Sequence, residues 1–160
     1  VPLGAARLTR ERLPGDPPAR QDLTVLREHV WQTLSPHVTE VQSHGRIDRV
    51  TCTSKTFRSL ARLDGAAPSS LGPRVRRLLT RTGLEAIVER LQGLPTAQIA
   101  ELPGVSPNRA HQMLAGAVVA LEAFTAFGVD RAEICPWAMR EGVVLRRLDW
   151  LEEDRLGRPR

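Results

Sequence analysis

The sequence predicts an α/β domain in which a short mixed sheet is covered by several packed helices. Three observations carry that prediction. Apolar residues recur at three and four over long segments, the mark of helices buried along one face. Three short runs of strand character, at 1–8, 46–52 and 132–135, lie between those segments. Gly and Pro punctuation divides one piece from the next. Three strands make a thin sheet for so many helices, so the sheet is expected to be incomplete.

Each element can be justified in order. The run V-P-L-G-A-A-R-L at 1–8 reads as the tail of a strand, and Pro14, Gly15, Pro17 and Pro18 as a loop. Leu23, Leu26, Val30, Leu34, Val38 and Val41 give a helix with one apolar face, which Pro36 should kink or divide and His44-Gly45 should end. Arg46 to Cys52 reads as a strand. Phe57, Leu60, Ala61 and Leu63 form the inward face of the next helix, with Arg58 and Arg62 outside and Asp64-Gly65 as its stop. A small-residue loop at 66–73 leads into a basic segment with Arg74, Arg76, Arg77 and Arg81, read as a solvated helix face.

Thr82-Gly83-Leu84-Glu85 matches a capping box opening a helix to about Gln92. A short helix at 96–101 stops before Pro103-Gly104. Ser106-Pro107 then starts a helix to Phe127 whose Met113, Leu114, Ala117, Val118, Leu121 and Phe124 belong in the core. Ala132 to Cys135 is a brief strand, Met139 to about Leu151 a last helix, and 152–160 a tail expected to be disordered.

At 160 residues the chain is one domain by size, long enough to bury a real core. Hydrophobic content of 41% and charged content of 26% are ordinary for a globular protein. No apolar run reaches the length of a membrane span, which excludes a helical membrane protein over this sequence. The start at Val1 lacks a signal pattern and reads as a cut or a mid-protein position, and the chain as cytoplasmic. Net charge is +5, and all but one of the 23 basic residues are arginine, Lys55 being the exception. Such a balance suits polyanionic partners. Cys52 and Cys135 are too few for a disulfide framework and lack metal spacing; both read as small buried side chains at strand ends.

The stretch with most chemistry is Thr53-Ser54-Lys55-Thr56, a strand delivering directly into a helix. The first N–H groups of such a helix are unpaired, and its dipole favours an anion there. Three hydroxyls and an ammonium surround that position. A helix cap with a solvated lysine explains the pattern as well as a phosphate turn does, and the glycines of a Walker motif are absent. A competing site lies at 96–114, which resembles a DNA-binding helix-turn-helix with Asn108, Arg109 and Gln112 reading bases. Pro103 and the long apolar continuation oppose that reading. Arg140-Glu141-Gly142 could place Arg140 on a polyanion, or Gly142 could simply allow close helix packing.

Several pieces together resemble the Ppx/GppA family of exopolyphosphatases and guanosine pentaphosphate phosphohydrolases, in its actinobacterial branch. They are P-L-G-A-A-R-L-T at 2–9, T-S-K-T-F-R-S-L-A-R-L at 53–63, L-P-G-V-S-P-N-R-A at 102–110, L-A-G-A at 114–117 and I-C-P-W-A-M-R-E-G-V-V-L-R at 134–146. The resemblance implies an actin-like, RNase H-type (ASKHA) fold of two domains around a cleft. It also implies hydrolysis of terminal phosphate from polyphosphate, or of the 5′-phosphate of pppGpp, by a water that a first-domain glutamate activates, with Mg²⁺ assisting. Residues 1–151 are then most of the second domain. Thr53, Ser54, Lys55, Thr56 and Arg109 are implied phosphate ligands, Arg140, Glu141 and Gly142 a cleft motif. A homodimer is a possible assembly. The family's Asp-x-Gly-Gly-Gly-Ser loop and catalytic glutamate are not in this sequence, so the chain alone is expected to be inactive. Cys52 stands where the family usually has glycine, and His111 where an acidic residue is frequent. A non-catalytic phosphate-binding module of the same fold is the alternative; nucleic-acid binding ranks last.

Overall fold

The computed structural model describes residues 1–45, 47–137 and 139–155, with the backbone alone at 139–141 and 153–155. In chain order the elements are α1 (Ala5–Arg12), α2 (Arg20–Ser43), β1 (Thr51–Cys52), α3 (Lys55–Leu63), β2 (Leu78–Thr80), α4 (Arg81–Gln92), α5 (Thr96–Ala100), α6 (Met113–Ala126), β3 (Arg131–Ile134) and α7 (Met139–Arg155). Short 3-10 turns occupy Ser69–Leu71 and Pro107–Gln112.

Helix α6 organises the core. Every residue from Met113 to Val118 is buried, followed by Ala120, Leu121, Phe124 and Ala126. A helix apolar all round belongs inside, and α6 packs against α1, α2, α3 and α4. Small residues let those neighbours approach: a Cβ added to Gly116 would lie 2.6 Å from Thr56 Cγ2. Buried Leu26, Leu60, Leu84 and Leu91 supply side chains worth about 1.5–3 kcal/mol each on leaving water.

The sheet is mixed, in the order β1-β3-β2. β1 runs parallel to β3, with Cys52 opposite Ile134, and β2 runs antiparallel, with Leu79 opposite Ala132. Those four side chains are buried and form the inner face.

Several expectations need correction. Residues 1–8 form no strand: Ala5, Ala6, Arg7 and Leu8 are good helix formers, and they open α1, which buries Leu8. Strand β2, missed in the sequence, emerges from the supposed helix face at 74–81. The strand expected over 46–52 contracts to Thr51–Cys52, with Arg46 outside the described residues. Pro36 does not divide α2; the Ser35 hydroxyl donates to Gln32 O at 3.4 Å, the carbonyl that a proline leaves unpaired. The cap of α4 is Thr80, whose Oγ1 accepts from Gly83 N at 3.0 Å, and not Thr82. The helix expected from Pro107 to Phe127 is a 3-10 turn through Gln112 followed by α6. The burial of α6 opposes the DNA-binding reading, because from Met113 to Val118 that helix has no exposed side to lay in a groove, and the exposed Asn108 and His111 sit on a short 3-10 turn. The tail is helical to Arg155, and 156–160 lie outside the described residues.

Candidate phosphate site

β1 and β3 end side by side, and the crevice beyond the carboxyl ends of parallel strands is where α/β folds place ligands. A cavity of about 490 Å³ lies there, with Ile134 and Pro136 from the end of β3 among its walls. One wall is α3, through Lys55, Arg58, Ser59 and Arg62. A second is the loop from Ala66 to Arg77, and a third comes from Gly104, Ser106 and Arg109. Five cations and no carboxylate or aromatic ring line this space. Its potential is that of an anion site.

Each wall has a local cause. Ser54 caps α3, its Oγ accepting from Phe57 N at 3.2 Å, which leaves Lys55 at the first helical position. Ser59 donates its hydroxyl to Gly104 O at 2.7 Å and ties α3 to the third wall. Gly104 has φ +80° and passes close beneath the Arg62 stem, with a hypothetical Cβ only 2.5 Å from Arg62 Cγ. Only glycine accommodates both. Arg77 holds the second wall by donating to four backbone carbonyls: Ala67 O at 2.8 Å, Pro68 O at 2.7 Å, Gly72 O at 3.0 Å and Val75 O at 2.8 Å. It contributes charge to the cavity while its donors face the loop. Arg62 likewise gives a hydrogen bond to Ala66 O at 3.0 Å.

Of the residues singled out in the sequence, Lys55 and Arg109 meet in this cavity. Neither makes a side-chain hydrogen bond or ion pair among the described residues. Thr53 and Ser54 are exposed outside the lining, and the Ser54 hydroxyl is occupied as a cap. Thr56 turns away, with its methyl against Gly116 of α6. Gly142 lies in open space, so close helix packing does not explain it; the side chains of Arg140 and Glu141 lie outside the described residues. Sequence reasoning missed Arg58, Arg62 and Arg77. Their signal was available for the first two, since Arg58 and Arg62 share a helix face with Lys55 by spacing.

Cys52 is buried and free just before the turn, and burial pushes its thiol up to about 11. It therefore stays a neutral packing residue. Cys135 is half-buried, and its N–H donates to Cys52 O at 2.9 Å.

Residues 1–151 match the model of the Ppx/GppA phosphatase family. The chain belongs to that family. It is 50% identical over 149 residues to Exopolyphosphatase 1 of Mycobacterium tuberculosis, a match covering 93% of this chain and 43% of that protein. It is 48% identical to Exopolyphosphatase 1 of Mycobacterium leprae, with 93% and 44% covered. Among solved structures, the Aquifex aeolicus Ppx/GppA phosphatase superposes with a TM-score of 0.79 at 23% identity, over 91% of this chain and 47% of that one. An exopolyphosphatase from Cytophaga hutchinsonii gives 0.75 at 17% identity, again with 91% and 47% covered. The fold is thus the incomplete actin-like α/β domain of Ppx/GppA proteins, and the chain spans less than half the length of the relatives it matches.

Proposed function

We propose that this chain is the phosphate-holding part of a phosphohydrolase that releases terminal phosphate from inorganic polyphosphate or the 5′-phosphate of pppGpp. One observation carries the reading: Lys55 and Arg109, far apart in sequence, converge on one cavity lined by cations and free of carboxylates. Their charges hold and orient the phosphate chain and take up negative charge as the terminal bond breaks. Family membership and the names of the mycobacterial relatives support the hydrolase class.

The lining has no group able to take a proton from water, since it contains no carboxylate and no histidine. The base implied by the resemblance, a glutamate of another domain, has no counterpart on this surface. The same chemistry favours a second reading, a phosphate-binding module without hydrolysis. Magnesium does not fit these residues either. It takes oxygen ligands, commonly carboxylates, and no group of three His, Cys, Asp or Glu among the described residues could hold a metal ion. The described residues therefore act through fixed cations.

Calorimetric titration with tripolyphosphate tests the site. Lys55→Ala and Arg109→Ala are each expected to weaken binding about tenfold, the effect of losing one charge-assisted contact. Binding unchanged in both variants refutes the assignment. A phosphate-release assay on the chain with polyphosphate and pppGpp, magnesium added, is expected to show no turnover above buffer; sustained release overturns the view that the base lies elsewhere.

A further inference from the structure

Lys55, Arg58, Ser59 and Arg62 stand on α3 at i, i+3, i+4 and i+7, so they share one face, and all four line the cavity. From the first to the last that face extends about 10 Å, two helical turns, enough to accompany roughly three or four phosphoryl units of an extended chain. The Nε of Arg58 is buried with no hydrogen-bond partner among the described residues. A buried guanidinium N–H left unpaired is costly, and an anionic oxygen is its strongest partner. The Ser59 hydroxyl already donates to Gly104 O and Arg62 gives one of its five N–H groups to Ala66 O, while Lys55 and Arg58 make no side-chain hydrogen bond among the described residues. The lining offers no ring on which a purine could stack and no carboxylate to read its edge.

We propose that this face of α3 is a track for the phosphoryl groups behind the terminal one, with Arg58 reading chain length. The site then selects a linear inorganic polyphosphate over a nucleotide carrying a 5′-polyphosphate. The proposal rests on the phosphate-binding reading above and adds to it the direction of the chain and the identity of the length-reading residue.

Titration of the purified chain with orthophosphate, tripolyphosphate, a longer defined polyphosphate and GTP, at one ionic strength, tests it. Affinity is expected to rise with chain length, and GTP to bind more weakly than tripolyphosphate of similar charge. Arg58→Gln should lose about tenfold for the longest chain and little for orthophosphate, whereas Lys55→Ala weakens every ligand. Arg58→Lys, which keeps the charge and loses the fork, should give an intermediate slope and serves if Arg58→Gln does not fold. Equal losses at all lengths in Arg58→Gln, no loss at all, or GTP binding as tightly as tripolyphosphate overturns the track. Tripolyphosphate binding that depends on Lys55 and Arg109 but not on length overturns the track alone. Absence of binding to any phosphate ligand overturns the underlying reading with it.

Discussion

Cys52 closes β1 immediately before the turn into α3, where its thiol is shut away from water. Burial raises its titration from the ordinary 9.0 to about 11, so the folded chain keeps a proton that the unfolded chain releases earlier. The associated stability is complete below pH 9.0 and falls as pH climbs toward about 11. With no Tyr and a single Lys in the sequence, few other side chains titrate in that window. The unfolding midpoint is therefore expected to drop over this range, and Cys52→Ala to flatten the drop. A midpoint equally pH-dependent in the variant sinks the explanation. Burial of this thiol was legible as a small residue ending an apolar run. Arg77 was not legible at all. Nothing in its local pattern separates an arginine that binds four carbonyls from its solvated neighbours, because its partners are backbone atoms of a loop whose path only the fold determines.

Helices with a long one-sided apolar stripe were readable; among short elements α5 and β3 were foreseen within a residue or so, and β2 was not. The stripe from Leu23 to Leu34 predicts α2 because about three turns of helix repeat one pattern. β2 has three residues with one buried, and among arginines it offers too little alternation to recognise. The cap of α4 shows the same limit. Thr82 and Thr80 both suit the position, but Asp64 at the end of α3 selects Thr80, accepting from its N–H at 2.8 Å and its hydroxyl at 2.9 Å. Gly83 completes the joint, since any Cβ there would collide with the Asp64 carboxylate. Thr80→Ala should cost about 1–2 kcal/mol in urea unfolding. Thr82→Ala should stay within about 0.5 kcal/mol. The reverse order would restore the capping box at 82–85. In the candidate site, likewise, Lys55 was found from its turn and Arg109 through the family resemblance; the wall between them came from tertiary structure.

Seen as a whole, the molecule is a core built around α6, a sheet of three short strands, and a last helix with its apolar residues outside. Every described side chain of α7 is exposed, including Val143, Val144, Leu145, Leu148, Trp150 and Leu151. Half-exposed Trp150 is met by Arg146 of the same helix, whose guanidinium lies 5.2 Å from the ring centroid. A chain ending after Trp137 should then unfold within about 0.5 kcal/mol of the full chain, by chemical denaturation. A larger loss would show that α7 is packed after all. The mixed, incomplete sheet was foreseen from the small number of strand-like runs, although one of the three runs proved helical and another strand replaced it. Composition balanced those errors without revealing them.

The parallel pairing of Thr51 with Glu133 joins two segments of the chain that α3 to α6 separate in sequence. Contacts between such distant residues must close a long loop before they return any stabilisation, so they form late in folding. The cavity sits where those two strands terminate. A collapsed intermediate with its helices in place but its ladder unclosed has no anion site, and phosphate affinity becomes a signature of the finished molecule.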